Sequence, residues 1–379
     1  MEQPRRIALL GGGQLGRMFI ENALRYDAEV HVLDPDAHCA CARLAKSFTQ
    51  GRFDDRDTVL RFAADADVIG IEIEHVSVEA LEALELQGKI VIPSAASLRI
   101  IQDKGLQKEF YVKHHIPTSP FVLIDRGAQI TDHQDLLPAF LKTRTGGYDG
   151  KGVMSISETE ERTKFFDGPC VVEKRVPIAK ELAVIAVRGT DGFTAVYDPV
   201  EMVFDPVLNL VDTLLAPARC DATVIDRAKA LAIQVAAAFG SPGIYAVEMF
   251  LTVEDELLVN ETAPRAHNSG HYTIEACASS QFDQLLRAYM GWPVGDTRMR
   301  GSAAMVNLVG EGGIGTPALL GVKEVLRSPG TFIHLYGKRE TRTGRKMGHV
   351  TIVAGTQNEV DRAVTIIKDH VKVVPQTHP

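Results

Sequence analysis

The sequence predicts an α/β unit with a doubly wound parallel sheet, followed by a mixed α+β unit and a small β-rich unit. Three observations carry that class. A strand, a glycine-rich turn and a helix open the chain at 7–26, and strand–helix alternation continues to about residue 92. A second glycine-rich stretch, Lys142-Thr-Arg-Thr-Gly-Gly-Tyr-Asp-Gly-Lys-Gly-Val153, is framed by strand-like segments. Two largely apolar strands, 243–252 and 256–262, carry Glu248 and Glu261, which packing would bury. With 379 residues the chain is long for one core, and divisions at 1–97, 98–292 and 293–379 are expected, with a lid unit at about 115–172.

The first unit begins with the short buried strand Ile7-Ala-Leu-Leu10 and the turn Gly11-Gly-Gly-Gln-Leu-Gly16. A helix to Tyr26 and a strand over 30–33, ending at Asp34, complete a dinucleotide fingerprint. Alone, it nominates a nicotinamide dehydrogenase, the main rival reading. Val68-Ile-Gly-Ile71 is a strand with Glu72 and Glu74 at its carboxyl end, and Glu72 is expected to be merely solvated. Ser77 caps a helix to Leu86, and Ile90-Val-Ile92 is a strand closed by Pro93.

A helix is expected from Ser97 to His114, with Lys104 and Lys108 at i, i+4 on a solvated face. Pro117 and Pro120 mark a linker into the lid unit. Residues 170–176 read as a strand or hinge, strands are expected over 180–187 and 193–200, and then a helix from Thr223 to Phe239 ended by Gly240. Beyond Pro293, strands are read at 302–309, 331–336 and 349–354. The basic stretch 337–348 suits a phosphate and a solvated hairpin tip about equally.

Charge and composition narrow the function. Lys and Arg number 41 against 49 Asp and Glu, a formal net charge of −8, so nucleic acid and anionic membranes are disfavoured partners. No apolar stretch approaches the roughly 18 residues that span a bilayer. The five cysteines have no metal-type spacing and suggest reduced thiols in a cytoplasm. The first ten residues lack the long apolar run of a signal peptide.

The 142–153 stretch packs four glycines among Lys142, Arg144 and Lys151. Glycine lets the backbone bring amide N–H groups close to an anion, and lysine adds a compact positive charge, so the loop suits a polyphosphate better than an ordinary surface turn. In the 243–262 hairpin, a turn centred on Glu254-Asp255 places Val253 opposite Glu256 and Glu248 opposite Glu261. Like charges directly opposed destabilise a sheet unless a cation lies between them. Asn260 adds an amide oxygen if a bulge brings it round, and such an all-oxygen set suits Mg²⁺ shared with nucleotide phosphates. The following loop gathers Arg265, His267, Asn268, Ser269 and His271, a density of polar groups that reads as a substrate pocket.

Four stretches then carry a resemblance: Gly11-Gly-Gly-Gln-Leu-Gly-Arg-Met18, Gly146-Gly-Tyr-Asp-Gly-Lys-Gly152, Asn260-Glu-Thr-Ala-Pro-Arg-Ala-His-Asn-Ser-Gly270 and Arg345-Lys-Met-Gly-His349. In this order the chain resembles, from end to end, the N(5)-carboxyaminoimidazole ribonucleotide synthetase family of ATP-grasp enzymes. The resemblance implies an ATP-grasp fold behind an N-terminal pre-ATP-grasp unit. It also implies ATP-dependent carboxylation of aminoimidazole ribonucleotide with bicarbonate, through carboxyphosphate. A formate-using transformylase of the same superfamily is the alternative. Carried over by position, Lys104, Lys142 and the loop Gly147, Tyr148, Asp149, Gly150, Lys151 and Gly152 cover ATP, as do Asn260 and Glu261. Glu173, Lys174, Arg175 and Val176 meet adenine, and Glu181 the ribose. Glu248, Glu261 and Asn260 hold Mg²⁺, two ions being expected. Tyr148, Asp149, Lys151, Arg265, His267 and Lys346 surround the reacting groups. Gln14, Glu74, Arg265, Asn268, Ser269, Arg345 and Lys346 bind the ribonucleotide. A cytoplasmic homodimer is implied, with the first glycine loop facing the ribonucleotide and its helix end still an anion site. The chain departs from the family pattern at Lys104, commonly arginine, and at Phe204, often histidine.

Overall fold

The computed structural model describes residues 5–147, 152–157 and 165–376. The first sheet has five parallel strands in the order Ser47–Gln50, Val30–Asp34, Ile7–Leu10, Val68–Ile71, Ile90–Ile92. Alternate residues of the central strand enter different cores, Ile7 and Leu9 on one face and Ala8 and Leu10 on the other. This is the expected doubly wound arrangement. The edge strand Ser47–Gln50 went unforeseen because Ser-Phe-Thr-Gln carries neither an apolar run nor a buried face.

Ser77 does cap its helix, its hydroxyl accepting the Ala80 N–H at 3.2 Å. The single helix expected from Ser97 is instead two, Ala95–Ile101 capped by Ser94 and Lys104–Lys113 capped by Asp103. Asp103 takes the Gly105 and Leu106 N–H groups at 2.8 and 3.1 Å, and Ser97 sits buried inside the first helix. A short acid satisfies a helix start better than a helix interior, so it divides the run.

Next comes a four-stranded antiparallel sheet, in the order Phe121–Ile124, Cys170–Lys174, Ala139–Thr143, Val153–Ile156. It has its own small core of Ile124, Leu141, Ile156, Val172 and neighbours. The largest sheet has nine strands and begins with Leu257–Ala263, Gly243–Thr252, Ile178–Arg188, Val200–Phe204 and Val211–Ala216. It continues through Ser302–Val309, Lys346–Ala354 and Thr331–Leu335, with Thr194–Val196 as the ninth strand, paired to Ile178–Arg188 off this path. Pairing of Val211–Ala216 with Ser302–Val309 carries this sheet straight across residue 293. The strand expected over 193–200 is two pieces, Thr194–Val196 and Val200–Phe204. Helix Ala222–Phe239 ends as read, with Gly240 left-handed at φ 70°. The last helix, Gln357–His370, was missed although Thr356 and Glu359 form a capping box readable in the sequence. Among the described residues, no helix is long and apolar enough to cross a membrane.

Candidate functional site

The hairpin Gly243–Thr252 with Leu257–Ala263 places Glu248 opposite Glu261, as read, by a different route. Near the turn the partners are Leu251 with Leu257 and Met249 with Val259, and Thr252 N–H donates to Glu256 O at 2.9 Å. Val253 therefore does not face Glu256, and its N–H donates to Pro177 O at 3.0 Å. The turn holds one more residue than expected, with Asp255 left-handed at φ 63°. A register shift beyond Met249 then absorbs Asn260 as an extra residue and restores the acidic pair. Such a bulge sets two side chains of one strand against one of the other, bringing Asn260 beside Glu261.

Two lysines reach these oxygens, and a third stands behind them on Glu173. Lys104 Nζ is 2.6 Å from Glu261 Oε2, and Lys142 Nζ lies 3.4 Å from Asn260 Oδ1 and 3.1 Å from Glu173 Oε2. Lys108, 2% exposed, lies 3.4 Å from the same Glu173 oxygen. The expected solvated face of that helix thus points inward at both lysines. Lys104 holds the Glu261 carboxyl well below the usual range, and Glu261 in turn raises the Lys104 ammonium. Burial, then the facing Glu261, pushes Glu248 upward. Two carboxylates and an amide are an oxygen set that a hard cation would satisfy. Glu248, Glu261 and Asn260 are therefore the candidate cation site; among the described residues no group of three or more His, Cys, Asp or Glu side chains is placed to hold a metal ion.

A second cluster adjoins the first. Arg265 Nε is 2.8 Å from Glu74 Oε1, joining the loop to the first sheet. The Ser269 N–H donates to His267 Nδ1 at 3.3 Å, so Nε2 carries the proton and points at Glu248 Oε1, 3.5 Å away. Burial, then the charges of Arg265 and Lys346, lower His267 to about 3, so the ring is neutral. Lys346 is close enough for its charge to act on Glu248 too. Glu181, half-buried on its strand, is raised by burial while Lys142 opposes the rise.

Other expected site residues stand differently. Asn268 and Asn307 exchange amide hydrogen bonds at 2.9 Å both ways, so Asn268 ties the loop to strand Ser302–Val309. Ser269 is 1% exposed and its hydroxyl is 2.9 Å from His267 Nδ1, so it orients the imidazole. Arg345 donates to Glu340 O at 2.7 Å. Glu173 directs its carboxylate to the lysines, and the next two N–H groups bond Pro120 O and Pro138 O, each at 2.8 Å. Val176 follows, half-buried between two strands. Gln14 accepts from Lys338 Nζ at 3.0 Å, which joins the first glycine loop to the C-terminal strands. Phe204 packs against the large core. Gly147 and Gly152 frame the second glycine loop, whose Tyr148, Asp149, Gly150 and Lys151 lie outside the described residues.

Glu72 is a correction. Its carboxylate accepts the Leu15 N–H at 3.1 Å and lies so close to the first glycine loop that a Cβ on Gly13 would be 2.5 Å from Oε1. Burial raises it to about 7, opposed by Arg265 and by the N–H groups of Leu15, Gly13 and Gly16. The helix end read as an open anion site is therefore filled from within. Asp34 takes the Gly12 N–H at 2.7 Å, so the acid of the dinucleotide fingerprint is also spent inside the loop. This removes the structural basis of the dehydrogenase reading.

Comparison with known proteins agrees with this geometry. Residues 5–102 match a ribonucleotide synthetase preATP-grasp domain, 109–282 an ATP-grasp domain, and 303–363 a phosphoribosylaminoimidazole carboxylase C-terminal domain. N5-carboxyaminoimidazole ribonucleotide synthase of Brucella melitensis is 36% identical over 359 residues, covering 91% of this chain and 95% of that protein. The chloroplastic phosphoribosylaminoimidazole carboxylase of Vigna aconitifolia is 39% identical over 95% of this chain, which spans only 66% of that longer protein. The crystal structure of the synthetase from Thermotoga maritima superposes with a TM-score of 0.91, at 39% identity, over 98% of this chain and 100% of that one. A synthase from Aspergillus clavatus in complex with ADP and 5-aminoimidazole ribonucleotide gives 0.88 at 33% identity, over 97% and 99%.

Proposed function

The chain belongs to the N5-carboxyaminoimidazole ribonucleotide synthase family of ATP-grasp ligases, and on that premise we propose how its own residues carry out the reaction. ATP phosphorylates bicarbonate, giving carboxyphosphate and ADP. The exocyclic amine of 5-aminoimidazole ribonucleotide then attacks the carboxyl carbon, phosphate leaves, and the nitrogen loses a proton to give the carbamate.

Lys142 and Lys104 face the nucleotide phosphates. The segment 174–176 receives adenine and Glu181 the ribose. Glu248, Glu261 and Asn260 hold magnesium, which when bound neutralises charge on the transferred phosphoryl group. Arg265 and Lys346 bring positive charge to the carboxyphosphate. His267 stays uncharged, and its Nε2–H is aimed along the Glu248 side of the site. Gln14, Glu74 and Arg345 lie on the ribonucleotide side. Residues 1–97, 98–292 and 293–379 thus each contribute to one site, in a cytoplasmic homodimer.

The observation that carries this reading is the bulged hairpin. It sets Glu248, Asn260 and Glu261 against Lys104 and Lys142, directly beside the Arg265–Glu74 pair. The test is ADP release from ATP, Mg²⁺ and bicarbonate, with and without aminoimidazole ribonucleotide. Strong stimulation by the ribonucleotide is expected, with a loss of about 10²-fold or more in Glu261→Gln. Turnover indifferent to the ribonucleotide would point to another acceptor.

A further inference from the structure

Lys108 is charged, buried and unused by the reaction just described. It lies on helix Lys104–Lys113, four residues after Lys104, and at 2% exposure cannot touch a ligand. Its ammonium donates to Thr118 Oγ1 at 2.6 Å and lies 3.4 Å from Glu173 Oε2. That single oxygen is also 3.1 Å from Lys142 Nζ, and Glu173 is itself 3% exposed. Thr118 passes its own hydrogen to Val259 O at 2.7 Å, one residue before the Asn260 whose amide oxygen Lys142 reaches. One buried carboxylate is therefore shared between a lysine that reaches the site and one that does not.

The consequence is electrostatic. Lys108, Glu173 and Lys142 together carry one net positive charge. Without Lys108, Glu173 and Lys142 would neutralise each other, and a one-to-one pair in a low-dielectric interior holds tightly. Lys142 would then be drawn back onto Glu173, away from an incoming phosphate. We propose that Lys108 is a positioning residue for the nucleotide: by sharing Glu173 it leaves Lys142 free to engage the phosphates. This rests on the ATP-ligase reading of the site. Burial lowers the Lys108 ammonium to about 8 against the pull of Glu173. Burial raises Glu173 as well, but Lys142 and Lys108 outweigh it and bring it below the ordinary carboxylate range. Near neutral pH Lys108 and Glu173 are therefore both predominantly charged.

The experiment is ADP binding by calorimetry, without ribonucleotide or bicarbonate, alongside KM for ATP and for the ribonucleotide. In Lys108→Met the ADP Kd and the ATP KM should each rise about tenfold, with the ribonucleotide KM moving by less than about twofold. In a Glu173→Gln background the same change should cost less than about threefold, because the carboxylate it competes for is gone. An equal loss in both backgrounds, or an equal rise in the ribonucleotide KM, would overturn the proposal. Should Lys108→Met fail to fold, Thr118→Val decides: ADP binding weakened by about threefold or more supports it, and unchanged binding refutes it. Wild-type protein that binds no ADP would instead refute the ATP-ligase reading itself.

Discussion

His267 shows how much of the site is set by neighbours. Its residue type suggests a group that titrates near neutrality. Burial beside Arg265 and Lys346 removes that option, and the Ser269 N–H selects the tautomer with the proton on Nε2. Its ring nitrogens should therefore report a neutral Nε2–H imidazole in ¹⁵N NMR at every pH from 8 down to 5. A midpoint near the ordinary 6.5 would show that water or a different packing reaches the ring. The same dependence on neighbours explains the lysines. Nothing in Lys104-Gly-Leu-Gln-Lys108 distinguishes an inward from an outward stripe, because the deciding partners, Glu261 and Glu173, lie far along the chain.

At the scale of elements, the loop after the hairpin is held by one buried side chain that sequence reasoning passed over. Gln281 accepts the His267 N–H at 2.9 Å, donates to His267 O at 2.9 Å, and meets His271 Nδ1 at 3.0 Å. It thus pairs with the His267 backbone as a neighbouring strand would. A Cβ on Gly270 would collide with its amide. Gly270→Ala should therefore cost about 1–3 kcal/mol of stability by thermal unfolding and lower kcat by displacing His267. Full stability and activity would show that Gln281 moves aside freely. The bulge at Asn260 teaches the same lesson. The opposed acids were legible from their apolar strands, but the three-residue turn and the compensating extra residue were not, since a hairpin's register depends on turn geometry.

For the whole molecule, the junction of loop 263–272 with the C-terminal strands is the acid-sensitive part. His271 and His349 are fully buried, their rings 4.9 Å apart, and His349 stacks on His334 at 4.5 Å. His334 is 2.7 Å from Glu275 Oε1, and Tyr336 OH is 3.0 Å from His349 Nδ1. Burial holds both His271 and His349 well below their ordinary value. The folded state thus binds fewer protons than the unfolded chain, and stability must fall as pH drops below about 6.5. The loss should approach about 1.4 kcal/mol per pH unit for each such histidine, read from urea unfolding between pH 7 and 5. Replacing His349 by Gln should flatten that slope; an unchanged slope would place the acid sensitivity elsewhere.

Sequence by itself determined the parts whose signal is local. These are the parallel sheet from its strand–helix alternation, the Ser77 cap, the Gly240 helix end, the first glycine turn and the acidic hairpin. It also named Arg265, His267 and Glu74, which the fold brings close to one another. Tertiary structure decided what those groups face. It filled the first glycine loop with Glu72 and Asp34, turned Lys108 inward, spent Asn268 on Asn307, and ran one sheet across residue 293. The physical reason is common to all of these. A strand, cap or turn is written in neighbouring residues, whereas the partner of a buried charge or amide is chosen by packing between segments distant in sequence.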